Sequence, residues 1–420
     1  SIIAILTIAM CFSVLHAYTF AVIGTAAPRS GADYVISTRV LSAPLGFASS
    51  FLLVIFSALV AGSLIAWIPQ SVLPVLLRTF GLVTGEAQAL QLAAQVAEPE
   101  GTLTVGAVIS VIAFTTLLTS TRSFQRLLIF GLVLGLAAWG IIFVVFSGSQ
   151  PAALETGWEQ FMGAGSYTGQ VQLALAEGMQ PTGNPGVTTL AGLLMGFWVF
   201  YGYFIATFTA GEVKKPEKNL IRGGLIALVL TWAIFILASI FLNRLVSPEW
   251  LSAQSYLYLN GNREAMPWVT FYAAVLRPNL FLVGVVSLAW IVTLINLVQT
   301  YIFYASRIIL AWARDGLMPE VMGYVHPRSR IPIVAMLLVA IAAQFGLTDA
   351  ALGNVIGSQL NFVFFAVVSQ LVPVLAITLF PFLKKEWFEA APLFVRRRVF
   401  GVPVITVVGG ITLLYLLWLL

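Results

Sequence analysis

Long apolar segments that contain no charged residue are the feature that most constrains this chain. The 420 residues include 21 Lys and Arg and 16 Asp and Glu, and all of them lie in connectors or at the ends of apolar runs. A charge at the centre of a bilayer costs about 2.5–3.5 kcal/mol on insertion scales, whereas a soluble core imposes no such segregation. The sequence therefore predicts a polytopic membrane protein.

The apolar runs are long enough for ten membrane spans, since roughly 20 residues cross the hydrocarbon core. They are continuous and do not alternate apolar with polar residues, which favours an all-α protein over a barrel. No soluble module is expected beside this one transmembrane domain, residues 1–420. The predicted spans are 1–25, 44–68, 102–120, 127–147, 188–211, 221–246, 279–308, 331–347, 352–380 and 402–420.

The net charge of +5 reflects sidedness and does not indicate a nucleic-acid partner. If successive connectors alternate between the two faces, 17 of the 21 Lys and Arg fall on one face. Basic residues mark the cytoplasmic side, so the first helix runs from outside to inside. We therefore expect an earlier span upstream of Ser1, and the apolar end of the chain indicates that the C-terminus is also incomplete.

The fifth run, 188–211, differs from the others because glycines interrupt it and aromatic residues crowd its middle. A Gly destabilises a helix by about 1 kcal/mol relative to Ala. Unwound backbone at this depth lines a cavity in some transporters. Close packing between helices and filling of the core explain the same residues equally well. The glycines are Gly192, Gly196, Gly202 and Gly211, and the aromatic residues are Phe197, Trp198, Phe200, Tyr201, Tyr203 and Phe204.

Three connectors carry short motifs, all on the face that the charge count assigns to the cytoplasm. They read GTAAPRSGADYVISTRVLSAPLGF at 24–47, AGEVKKPEKNL at 210–220 and SRIILAWARDGLMPEVMGYVHPRSRIPIVA at 306–335. In this order they resemble the amino acid–polyamine–organocation superfamily of secondary transporters. The resemblance covers nearly the whole chain.

The resemblance implies an inverted five-plus-five repeat, the leucine-transporter type of fold, in partial form with ten transmembrane helices. Matched by the motifs, the first helix here is similar to the family's second, and the family's first helix is absent. The first repeat would then be residues 1–147, incomplete, and the second repeat 188–380. The helix at 402–420 would follow the two repeats.

The resemblance also implies a substrate site, because the family's sixth helix is broken and matches the fifth run here. The break is expected around residues 201–203. Many relatives have a Glu where this chain has Phe204, so recognition or proton sensing through that Glu is not expected. The candidate substrate-binding residues are Trp198, Tyr201, Gly202, Tyr203 and Phe204.

Thr293, Asn296 and Thr300 are spaced i, i+3 and i+7, so they share one helix face. Their helix matches the family's eighth, which contributes to a sodium site in some relatives. The three residues are therefore a possible ion or polar site. Hydrogen bonding across helices is an equally good interpretation.

A cytoplasmic gate is the hypothesis for Glu212, Lys214 and Lys215, which are expected to pair with Arg314 or Asp315. His16 is an ionisable side chain near mid-membrane. It is either a hydrogen-bonded interior residue or a proton site.

The predicted function is secondary active transport of amino acids or related small organic ions by alternating access, in the plasma membrane. The expected partners are an amino acid-like substrate and the lipid bilayer, and the oligomeric state stays open. No cofactor is expected, with coupling to Na+ or H+ as an option. An enzyme is not indicated, because the sequence has no P-loop, Glu-x-x-His or intramembrane Asp pair. The alternatives are a non-transporting amino acid sensor with the same pocket, and a channel.

Overall fold

The structure is a computed structural model that describes residues 2–180, 190, 192–260, 266–353, 355 and 362–420. Helices dominate these ranges, with one antiparallel pair of two-residue strands, β1 (Arg398–Val399) and β2 (Val402–Pro403). In chain order the helices are α1 (Ile2–Ala26), α2 (Ala32–Val40), α3 (Ala43–Trp67), α4 (Leu73–Thr84), α5 (Ala87–Ala97), α6 (Pro99–Leu117), α7 (Thr121–Ser147), α8 (Pro151–Met162), α9 (Ser166–Ala176), α10 (Leu193–Phe200), α11 (Pro216–Leu245), α12 (Pro248–Leu259), α13 (Val269–Leu276), α14 (Leu280–Arg314), α15 (Ile333–Ala351), α16 (Phe362–Leu383), α17 (Lys385–Ala390) and α18 (Val404–Trp418).

Eight helical stretches within the described ranges are long and apolar enough to cross a membrane. They are α1, α3 continuing into α4, α6, α7, α11, α14, α15 and α16, and they coincide with eight of the ten predicted runs. The other two runs contain shorter helices, α10 with 8 residues and α18 with 15. Residues 188–189 and 191 of the fifth run, and 354 and 356–361 of the ninth, lie outside the described residues.

The second apolar run does not end near residue 68, and that predicted boundary is wrong. A π-helical turn over Ile68–Val72 joins α3 directly to α4, and the helical path continues to Thr84. Proline removes a backbone donor from a regular helix. The wider π turn accommodates Pro69 and lets the chain continue without a loop.

The core is built around α3, which packs against α14, α15 and α16. α3 and α15 cross closely at Gly62 and Gly346. A side chain on Gly62 would overlap the carbonyl oxygen of Ala343, and one on Gly346 would overlap that of Leu59. Small residues allow membrane helices to approach in this way, so the crossing fixes the position of α3 in the bundle.

A second apolar cluster is separate from the core around α3. It joins α8 to α12 and α13, with the Trp158 and Trp250 rings edge-to-face at 4.9 Å. Trp158 is fully buried there. The connector between the fourth and fifth apolar runs, residues 148–187, is helical over α8 and α9, and its Trp158 packs into this cluster. Residues 181–187 of it lie outside the described residues.

Candidate functional site

The fifth apolar run is interrupted where the sequence predicts it. α10 ends at Phe200, and Tyr201 turns to an extended conformation with φ −60° and ψ 125°. Gly202 follows with φ +130°, a region that side-chain-bearing residues rarely adopt. Two short 3₁₀ turns, Ile205–Phe208 and Ala210–Glu212, complete the segment. The expected break around residues 201–203 is confirmed.

The break directs the two neighbouring tyrosines to different helices. The Tyr201 hydroxyl accepts a hydrogen bond of 3.3 Å from Nε2 of Gln370 on α16, and its ring meets Phe56 of α3 edge-on at 5.8 Å. The Tyr203 hydroxyl lies 2.8 Å from Nδ1 of His16 on α1. The interrupted segment is therefore anchored on both sides, by neutral groups of two different helices.

His16 is enclosed by aromatic rings. It is 1% exposed, stacks on Phe20 with ring centroids 4.6 Å apart, and meets Phe204 edge-on at 5.5 Å. Its Nε2 is buried without a hydrogen-bond partner among the described residues, whereas Nδ1 is bound to Tyr203. The interpretation as a hydrogen-bonded interior histidine is confirmed, and the proton-site interpretation stays a prediction.

The remaining predicted substrate residues lie in the same aromatic cluster. Trp198 is half-buried and stacks on Tyr201 at 5.5 Å and 24°. Phe204 is 3% exposed and packs between Tyr201 at 4.9 Å and Phe20 at 4.8 Å. Phe204 thus fills the space between Phe20 of α1 and Tyr201. Contact of these five residues with a substrate stays a prediction.

Sequence reasoning missed the aromatic residues that α3 and α14 bring to the break. Phe56 of α3 faces Trp198, Tyr201 and Tyr301, with ring centroids 5.8–6.2 Å apart. Gln370 is 1% exposed, and one of its hydrogen bonds goes to Tyr201. Phe and Tyr recur throughout these apolar runs, so no sequence signal singles out Phe56 or Tyr301. A Gln within an apolar run is rarer, so the sequence does single out Gln370 as a candidate polar contact inside the bundle.

Thr293, Asn296 and Thr300 line one groove of about 380 Å³ between α7, α11 and α14, so their shared face is confirmed. The threonine hydroxyls donate to carbonyl oxygens of their own helix, those of Ala289 and Asn296. Asn296 Nδ2 donates across helices to the Leu127 carbonyl oxygen at 3.2 Å. The interpretation as hydrogen bonding between helices is therefore confirmed for Asn296. An ion site here stays a prediction.

The three motif-bearing connectors meet in one layer, here called the connector layer. The first connector contacts the segment after the break, where the Gly31 N–H donates to the Phe208 carbonyl oxygen at 3.0 Å. It also reaches the third motif, since the Tyr34 hydroxyl donates to Asp315 Oδ2 at 2.9 Å. Arg39 Nη2 lies 2.9 Å from both carboxylate oxygens of Asp315. Asp315 is thus held by the first motif.

The expected pairing of Glu212 is wrong. Glu212 binds Arg307, with Nε donating to Oε1 at 3.0 Å, and Arg314 is exposed with no ion pair among the residues described. The Arg307 side chain is 1% exposed and lies over the Phe303 ring at 4.3 Å. A buried guanidinium requires a counter-charge, whereas an exposed one is satisfied by water, so Glu212 pairs with the buried arginine.

Burial also raises the pKa of two acidic side chains of this layer, Asp33 and Tyr34. Asp33 is 3% exposed, and its Oδ1 has no hydrogen-bond partner in the part of the chain that the structure describes. Burial raises the pKa of its carboxyl to about 7. Burial, and then the hydrogen bond to the Asp315 carboxylate, raise the pKa of Tyr34. The layer therefore contains one carboxyl group that titrates near neutrality.

A family model described as amino acid permease matches residues 1–420. The chain belongs to the amino acid permease family. Among curated proteins, this permease is 27% identical over 176 residues to a vacuolar cationic amino acid transporter 4 of Arabidopsis thaliana, which is 42% of this chain and 27% of that one. It is 22% identical to the branched-chain amino acid permease BcaP of Bacillus subtilis, over 57% of this chain and 46% of that one. The matches thus span less than half the length of these relatives.

A solved structure supports the architecture of this permease independently. The structure of MhsT in complex with L-phenylalanine superposes with a TM-score of 0.55 at 14% identity, over 98% of this chain and 88% of that one. The predicted fold class, an all-α membrane protein of the leucine-transporter type, is therefore confirmed. The chain is a multi-pass membrane protein, and the relatives that it matches are named as transporters and permeases.

Proposed function

We propose that this permease moves amino acids or related small organic ions across the plasma membrane by alternating access. The observation that carries the proposal is the break at residues 201–203 inside a run that would otherwise span the bilayer. The ends of half-helices offer carbonyl and N–H groups with aligned dipoles, which stabilise a charged substrate at membrane depth. MhsT, which shares the fold, is solved with an amino acid.

In this proposal the neutral polar groups at the break bind the substrate. Carbonyl groups near Gly202 would accept hydrogen bonds from an ammonium group, and the stacked pair of Trp198 and Tyr201 would cover an apolar side chain. The hydroxyls of Tyr201 and Tyr203 already have partners, Gln370 and His16. A substrate that engages either hydroxyl therefore competes with an anchor of the broken helix. This competition provides a physical link between binding and movement of the segment.

The connector layer is proposed as the inner gate. The Glu212–Arg307 ion pair links the segment after the break to α14. The Arg39–Asp315 ion pair links the first connector to the residue that follows α14. Opening toward the cytoplasm would separate these pairs. The gate hypothesis thus keeps Glu212 and Asp315 and replaces Arg314 by Arg307 and Arg39.

Coupling to Na+ or H+ belongs to the same proposal. The groove at Thr293, Asn296 and Thr300 presents hydroxyl and amide oxygens, which are suitable ligands for a hard cation. His16 is the alternative, as a proton site in contact with Tyr203. Uptake driven by a sodium gradient and unaffected by a pH gradient favours the groove, and the reverse result favours His16.

The decisive experiment is uptake of labelled amino acids by the full-length protein in liposomes. We expect saturable uptake that an excess of the unlabelled substrate abolishes, with empty liposomes as the control. Saturable binding without flux would identify a sensor that keeps the pocket. Flux without saturation would identify a channel. Folded protein that neither binds nor transports any member of a broad panel would contradict the proposal.

A further inference from the structure

A pocket that the proposed transport cycle does not use lies on the cytoplasmic side of the bundle. It has a volume of about 550 Å³ and lies between the α1–α2 connector, α2 and the junction of α16 with α17. Pro28 and Arg29 come from the connector, Arg39 from α2, and Lys384 and Trp387 from the junction. Basic residues line the pocket from three separate segments, so the folded chain assembles it.

The charge of this pocket is positive. Arg29, Arg39 and Lys384 line it, and no acidic residue is among the lining residues that the structure describes. Arg39 is neutralised by Asp315. Arg29 and Lys384 are exposed, and neither forms an ion pair within the described part of the chain. Two uncompensated cations therefore face one cavity, and an anion is the ligand that this arrangement fits.

The surroundings of the pocket are apolar on the side of α16. Phe382 and Leu383, the last two residues of that helix, are 62% and 52% exposed. Trp387 is held edge-on against the buried Phe380 ring at 5.1 Å. Trp is enriched where a membrane meets water, and exposed apolar residues at a helix end contact acyl chains. The ligand would therefore meet a basic cavity and hydrocarbon-facing side chains at the same place.

We propose that this pocket binds the phosphate-bearing headgroup of an anionic phospholipid from the cytoplasmic leaflet. The Arg29 guanidinium offers the planar fork that matches a phosphate, and the Lys384 ammonium adds a point charge. The acyl chains would lie along Phe382 and Leu383. Basic pockets between membrane helices on the cytoplasmic side are suited to such headgroups. The site is separate from the proposed substrate and gate residues, apart from Arg39.

Native mass spectrometry of the full-length protein in detergent tests the site, with phosphatidylglycerol and phosphatidylcholine as probes. The test variant is R29Q/K384Q. The matched control is K218Q/R222Q, which removes two exposed positive charges from the same face outside the pocket. We expect R29Q/K384Q to bind phosphatidylglycerol about tenfold more weakly than the parent, since each basic residue near a charged membrane surface contributes appreciably to binding. The control variant should match the parent, and phosphatidylcholine binding should be equal in all three.

Three outcomes would overturn the proposal. Unchanged phosphatidylglycerol binding by R29Q/K384Q would remove the pocket as the site. Equal losses in both double variants would indicate a diffuse surface charge. Full competition by glycerol 3-phosphate at the concentration of the lipid would assign the pocket to a soluble phosphate compound. The single variant K384Q, expected to lose about threefold, provides the same test if the double variant does not fold.

Discussion

Ion pairs hold the motif-bearing connectors together, whereas neutral hydrogen bonds and aromatic contacts hold the interrupted segment in place. In the connector layer, Arg307 meets Glu212 at 3.0 Å and Arg39 meets Asp315 at 2.9 Å. At the break, a tyrosine hydroxyl meets a histidine nitrogen at 2.8 Å. A charge costs several kcal/mol inside the bilayer but little in the wet interface. The contrast shows that neutral groups supply the polar contacts at the break.

The largest expected effect concerns the connector layer, where Asp33→Asn should stabilise the protein at pH 8. The folded-state pKa of Asp33 is about 7, above the 3.8 of an unperturbed carboxyl. The native state therefore binds more protons, and stability falls as pH rises from about 4 to 7 and then stays level. Over this pH range the free energy of unfolding falls by about 4 kcal/mol. Thermal unfolding of the purified protein between pH 4 and 8 measures it.

In the Asn variant this fall in stability should be absent. Glu320→Gln, which alters an exposed carboxylate of the same face, serves as the control and should keep the parent's pH profile. An Asp33→Asn profile identical to that of the parent would mean that the Asp33 carboxyl is not protonated near neutrality in the folded protein.

The next effect concerns the break, where Gly202→Ala should reduce uptake by about tenfold or more. The φ of +130° at Gly202 is strained for alanine by about 1–3 kcal/mol, although the position has space for the methyl group. The variant should therefore shift the segment away from its broken geometry. Gly223→Ala in α11, where an added methyl group meets nothing within 4 Å, is the matched control. Equal uptake by both variants would contradict a role for the broken conformation.

A smaller effect separates the two ion pairs of the connector layer. Glu212→Gln should lower the free energy of unfolding by about 2 kcal/mol, because it leaves the buried Arg307 without a counter-charge. Asp315→Asn should lower it by less than about 1 kcal/mol, because Arg39 is 47% exposed and keeps its hydration. Denaturant unfolding of both variants measures the difference. Equal losses would show that burial of Arg307 does not decide the strength of its pair.

The smallest effect tests the neutral anchor at the break. Tyr203→Phe should lower the free energy of unfolding by about 1 kcal/mol, because Nδ1 of the buried His16 loses its hydrogen-bond partner. A contact between neutral groups at membrane depth is not screened by salt, so the cost should be the same at low and high ionic strength. Tyr324→Phe, at a half-exposed tyrosine outside the break, should leave the free energy of unfolding unchanged. A loss in Tyr203→Phe that depends on salt would indicate a charged partner at His16.

Much of the architecture is readable from the residues alone. The absence of charge from the apolar runs predicts the spans, because the bilayer penalises a charge whatever its neighbours are. The helix boundary at residue 68 was missed because a π-helical turn removes the penalty that Pro69 would otherwise impose. The short final helix, α18, was predicted as a full span since composition does not define where a helix ends.

The sequence indicated where the fifth run breaks through its resemblance to the transporter superfamily, and Gly202 tolerates the conformation that its neighbours avoid. It also determined that the motif residues gather on one face. Only the tertiary structure decided the partners: Glu212 binds a residue 95 positions away, Asp315 one 276 positions away and Tyr203 one 187 positions away. Local spacing fixes which face of a helix a side chain occupies, but the packing of distant helices fixes what that side chain meets.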